Sequence, residues 1–141
     1  VQRMSAGTGV LHSEFNHSQE NGLHFLQIWI ETAQRGIQPS YEQKHFPTAE
    51  RQGQWRLVLS SDGRDGSVSV NQDVNLYASL LSAGDHLTTP PSRYAWLHVV
   101  KGSIEVNGER LTTGDAAAFT PDEHVELTSS DASEVLLFDL A

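Results

Sequence analysis

Two side chains in this sequence have the type and spacing to hold a metal ion. His12 and Glu14 stand two positions apart in an alternating run, with Leu11, Ser13 and Phe15 on one face and Val10, His12, Glu14 and Asn16 on the other. A strand rises about 3.3 Å per residue and alternates its side chains, so both groups would leave the same face with Cα atoms roughly 6–7 Å apart. An imidazole and a carboxylate so placed can converge on one cation, and together they belong to the ligand set of non-haem iron. Two ligands do not make a catalytic centre, which needs at least a third donor and open positions. The spacing by itself favours a hydrogen-bonded or solvated pair on a polar strand face, because His-x-Glu is common by chance.

No other grouping offers comparable chemistry. His17 and His24 lie close to His12 in sequence, and His24 or Phe15 would flank a site there; His45, His86, His98 and His124 are scattered. No Ser/His/Asp order or nucleophile elbow occurs. Asp62, Asp65 and Asp73 lack the alternation of a calcium loop. Residues 5–9 (SAGTG) are glycine-rich but carry no phosphate-loop lysine, and they read as a tight turn leading into the His12 strand. Trp29, Trp55 and Trp96 are expected in the core or at a barrel mouth.

The elements that must position these residues are strands. Residues 10–16 alternate, and 23–30 (LHFLQIWI) is nearly continuous apolar chain, expected to be covered on both faces. Further strands are expected at 56–60, 76–81, 96–100, 104–106, 116–119, 125–128 and 135–140. Asn107-Gly108 is the preferred two-residue hairpin turn, since both residues tolerate positive φ. Turns are also expected at 62–66, 84–85 and 114–115, a linker at 31–40 and a polar surface loop at 45–54. Short strands with a turn every eight to twelve residues point to an all-β sandwich or barrel. A faint repeat relates residues 1–30 to 116–140, with Val10 opposite Val125.

Composition narrows the function. The 141 residues carry 9 Lys+Arg against 18 Asp+Glu, a formal charge of −9. Such a surface repels phosphate backbones and argues against nucleic-acid binding. The longest apolar run is interrupted by His24 and Gln27 and falls short of a membrane span. Cysteine is absent, which excludes disulfides and thiol catalysis and agrees with an expected cytoplasmic location. Val1 is not an initiator methionine, and the opening residues read as the middle of an element.

The run from Gln2 to Asn16 (QRMSAGTGVLHSEFN) resembles the pirin family of bicupins. So do residues 23–30, 41–44 (YEQK), 62–67 (DGRDGS) and 134–140 (EVLLFDL), and the nearest likeness is to bacterial pirin-like quercetin 2,3-dioxygenases. The resemblance implies two jelly-roll cupin barrels: the remainder of a first, metal-binding cupin with its linker at 1–36, and a complete second cupin at 37–141. It implies four metal ligands, of which His12 and Glu14 are two and an upstream His-x-His pair, absent before Val1, supplies the others. The second cupin would be metal-free: Thr88, Pro90 and Tyr94, or Leu127 and Ser129, stand where its ligands would fall.

The implied activity is opening of the heterocycle of a flavonol such as quercetin by an Fe(II)-type dioxygenase, with Glu14 as ligand and catalytic proton acceptor. The 141-residue piece alone is then expected to bind metal weakly or not at all, to be inactive, and to self-associate through a broken first barrel. The alternative is a non-enzymatic metal-binding regulatory module with protein partners, as in animal pirins.

Overall fold

Glycine and asparagine punctuate the second half of the chain, and the backbone reverses where they stand. Asn107 and Gly108 both take positive φ (48° and 86°), and they close the hairpin between β8 (Ser103–Val106) and β9 (Glu109–Thr112). This geometry comes from a computed structural model that describes residues 1–89 and 93–141. The remaining strands are β1 (Gln2–Ser5), β2 (Ser40–Gln43), β3 (Arg56–Ser60), β4 (Val68–Ser69), β5 (Val74–Leu81), β6 (His86–Thr89), β7 (Tyr94–Lys101), β10 (Ala116–Phe119), β11 (Val125–Ser129) and β12 (Ser133–Leu140).

The strands form two facing sheets and a separate ribbon. One sheet has the order β10-β7-β12-β5-β3-β4, the other β6-β11-β8-β9, and β1 pairs with β2 alone. All pairings are antiparallel except β3 with β4. The all-β fold of cupin type read from the sequence is therefore the fold observed.

Alternation along the strands sorts side chains into two cores. On β12, Val135 and Leu137 enter the cluster between the sheets, with Leu97, Val99, Ile104, Val125 and Leu127. Their neighbours Leu136 and Phe138 pack instead on a second cluster built from Phe46, Val58, Leu59, Val68, Val74, Leu76 and Ala78. Each fully buried Val or Leu contributes about 1.5–3 kcal/mol relative to exposure. Leu127 and Ser129, the positions matched to His12 and Glu14, both point into the interior. Thr88 and Tyr94 are exposed, and Pro90 lies outside the described residues.

Four expectations need correction. Residues 6–39 contain no strand, so neither 10–16 nor 23–30 is part of a sheet. Periodicity records which way side chains would point, but a strand also needs a neighbour for its backbone N–H and C=O groups. Among the described residues no strand runs beside 10–30. The run 23–30 is consequently not covered on both faces: Leu23, Phe25, Ile28 and Trp29 are exposed, Trp29 at 90% and so outside any core. Trp55 does pack on the inter-sheet core, whereas Trp96 is 44% exposed. The polar stretch 45–54 is more than a loop, for it holds the one-turn helix α1 (Thr48–Arg51) and buries Phe46, whose ring lies 5.1 Å from the Arg56 guanidinium.

Candidate metal and ligand site

The ribbon of β1 and β2 is the platform for the candidate site, and its two faces do different work. Register pairs Gln2 with Gln43, Arg3 with Glu42, Met4 with Tyr41 and Ser5 with Ser40. Directly opposite residues share a face, so Arg3, Ser5, Ser40 and Glu42 form one side and Gln2, Met4, Tyr41 and Gln43 the other.

The first side is clamped to the sandwich. Arg3 Nε donates to the carbonyl oxygen of Ser69 at 2.8 Å, while the Ser69 N–H and hydroxyl donate to Glu42 Oε2 at 3.0 and 2.8 Å. Arg3 also pairs with Glu42 at 3.3 Å, and Lys44 Nζ reaches the other Glu42 oxygen at 3.0 Å. Asn71 donates to the buried Ser5 hydroxyl at 3.2 Å. The hydrogen bonds from Ser69, then the Lys44 ammonium, lower the Glu42 carboxyl from its usual 4.5 to about 2.

The second side faces the predicted ligands. A turn at residues 6–9, closed by a 2.7 Å bond from the Gly9 N–H to the Ala6 carbonyl, reverses the chain after β1. Gly7 sits at φ +53°, and a Cβ there would lie 2.1 Å from the Ile37 carbonyl oxygen and 2.9 Å from the Pro39 nitrogen. No side chain fits, so glycine lets this turn seat directly on the backbone that leads into β2. His12 then borders a cleft of about 320 Å³ lined by Met4, Val10, Leu11, Pro39, Ser40 and Tyr41. Glu14 does not line it, but its Oε1 accepts a hydrogen bond from Gln2 Nε2 at 3.3 Å. Both predicted ligands are thus beside the outward face of the ribbon, carried by irregular chain rather than by a strand.

An imidazole and a carboxylate suit a divalent first-row ion, and both side chains are exposed and accessible to one. Among the described residues, no group of three His, Cys, Asp or Glu side chains is placed to hold a metal. The donors therefore fit the metal in kind but make only part of a coordination sphere. Phe15 is 82% exposed, and neither it nor His24 lines the cleft. Met4 and Tyr41, not singled out as site residues from sequence, take that place; alternation along residues 40–43 would have separated Tyr41 from Glu42. A second, polar depression on the four-stranded sheet is lined by His86, Glu105, Asn107, Gly108, Glu126 and Thr128. No helix is long and apolar enough to cross a membrane among the described residues.

Comparison with known proteins brings these observations together. Residues 57–140 match the family described as quercetinase C-terminal cupin domain, and residues 1–30 match the family described as pirin. A protein named quercetin 2,3-dioxygenase from Escherichia coli K12 is 43% identical over 141 residues, covering 99% of this chain and 60% of its own length. The chain thus spans about 60% of the length of such curated relatives. The crystal structure of YhhW from Escherichia coli superposes with a TM-score of 0.73 at 37% identity, over 80% of this chain and 48% of that one. Bacterial pirin YhhW in complex with nickel(II) gives 0.70 at 38% identity, over 77% of this chain and 47% of that one.

Proposed function

The chain belongs to the pirin family, and on that premise we propose that it carries half of the metal site of a dioxygenase acting on flavonols such as quercetin. The observation that carries this reading is that His12 and Glu14 both lie beside the outward face of the β1–β2 ribbon, His12 at the mainly apolar cleft and Glu14 against Gln2. The nickel(II) complex of a related pirin supports a metal of the same coordination preference, and Fe(II) is the ion proposed for catalysis. His12 and Glu14 would be two of the metal ligands, the half of the site that this chain carries. The division of the chain is placed at 36/37, between the first-cupin remainder and the second cupin.

A bound metal would supply Lewis-acid polarisation of the flavonol's hydroxyl and ketone oxygens. The chain's own residues do the rest. Gln2 holds Oε1 of Glu14 by its amide, which leaves Oε2 free to accept the proton of the flavonol hydroxyl. His12 borders the cleft in which the reacting end of the ligand would sit, and Val10, Leu11 and Pro39 give that cleft apolar walls. The second cupin contributes support, since its interior is filled by aliphatic side chains.

The test is oxygen uptake with quercetin by the iron-loaded protein that contains this chain with its upstream ligands. Metal-dependent turnover that disappears in His12→Ala and Glu14→Gln is expected. Tight metal binding with no turnover of any flavonol would replace this reading with a non-enzymatic regulatory module.

A further inference from the structure

The geometry points to Tyr41, with Met4 beside it, as the surface on which an aromatic ring of the ligand rests. This assignment relies on the flavonol reading above and extends it to the residues that bind the ring. Met4 and Tyr41 are paired directly across the ribbon, and side chains so paired lie about 4.5–5.5 Å apart at Cβ on one face. The opposite face of the ribbon is held by Arg3, Glu42 and Ser69, so the platform is fixed in place. The Tyr41 hydroxyl donates to Gln43 Oε1, which restrains the ring.

Tyr41 nevertheless keeps 56% of its surface exposed. What sets it apart from the other exposed aromatics is its company. Phe15 and Trp29 do not line this cleft, whereas Tyr41 shares it with His12, Met4 and Pro39. Aromatic faces stack on planar rings, and a thioether is favourable at a ring edge. The cleft, about 320 Å³, is at the small end of the range for ligand sites. A ring seated on Tyr41 would lie in the cleft that His12 borders.

Met4 is the single methionine of the chain, so methyl-labelled methionine gives one resonance, located at the cleft. Titrating the metal-free 141-residue chain with quercetin is expected to move that resonance saturably through the ring current. Tyr41→Ala and Tyr41→Leu should each weaken the apparent affinity about tenfold, the loss expected for one stacking contact, while Tyr41→Phe retains it. The Leu variant keeps apolar bulk without a π face, and unchanged thermal unfolding of each variant checks the fold. A Met4 resonance that quercetin leaves in place, or a Tyr41→Ala titration that overlays the unsubstituted chain, overturns the assignment. Tyr41-dependent quercetin binding in a protein that takes up no oxygen would uphold the platform and remove only the enzymatic reading.

Discussion

Residues 6–39 and residues 56–140 are written in similar patterns, yet they end in opposite states. Leu11 stands between Val10 and His12 of the opposite face much as Leu127 stands between Glu126 and Thr128. Leu127 is 1% exposed between β6 and β8, and Leu11 is wholly exposed on irregular chain. The repeat noticed in the sequence holds for its first strand, since β1 falls opposite β10, and then fails where 10–16 has no neighbour and β11 has two. The difference lies in pairing rather than in the residues themselves. An alternating run specifies a face, and only an adjacent ladder turns that face into buried area.

Substitutions can break or sharpen this contrast. The largest effect is expected from Leu97→Ala, which hollows the inter-sheet core and should cost about 2–5 kcal/mol in denaturant unfolding, while Leu11→Ala stays within about 0.5 kcal/mol. Equal losses at the two sites would erase the distinction. Glycines give a second comparison. Gly102 takes φ +92°, and a Cβ there would lie 2.4 Å from the Ser133 hydroxyl and 2.7 Å from the Ala132 carbonyl oxygen. Gly102→Ala should lower global stability by about 1–3 kcal/mol. Gly7→Ala meets an even closer backbone oxygen, but the strain falls in the unpaired region. It should shift the Met4 methyl resonance and leave the unfolding midpoint nearly unchanged.

A pH titration probes the junction of the two regions. The folded ribbon holds Glu42 ionised to about pH 2, whereas the released carboxyl protonates near 4.5. Between those values the released state binds more protons, so the clamp is complete above about 4.5 and is lost as pH falls toward 2. Exchange of β1 and β2 amides should accelerate across that window before those of β7 and β12, and Glu42→Gln should flatten the dependence. The smallest effect is expected from Gln2→Ala. Its amide bond to Glu14 is long and exposed, so nickel(II) affinity measured by calorimetry should fall by less than about tenfold.

How much of this was legible in the sequence follows the same division. The strands at 56–60 and 116–119 and the Asn107-Gly108 turn were readable because local alternation and positive-φ residues were enough to define them. β1, β2 and the two-residue β4 were missed because they are short and exist through pairing or side-chain clamps across more than thirty residues. At the candidate site, His12 and Glu14 were singled out by residue type and spacing together with the family resemblance. Tyr41 and Met4 were not, because what makes them site residues is a register between strands that sequence spacing does not encode.

The clamp on Ser69 has a consequence for how the protein behaves in a crowd. β4 is the outermost strand of its sheet, and its outward N–H and C=O are already satisfied, the first by Glu42 and the second by Arg3. Two side chains stand in for the backbone of a missing neighbour, so this border is closed to any foreign strand seeking a template. Acid that protonates Glu42 would therefore unseal the border as well as free the ribbon, and aggregation through fibril-like stacking would begin there.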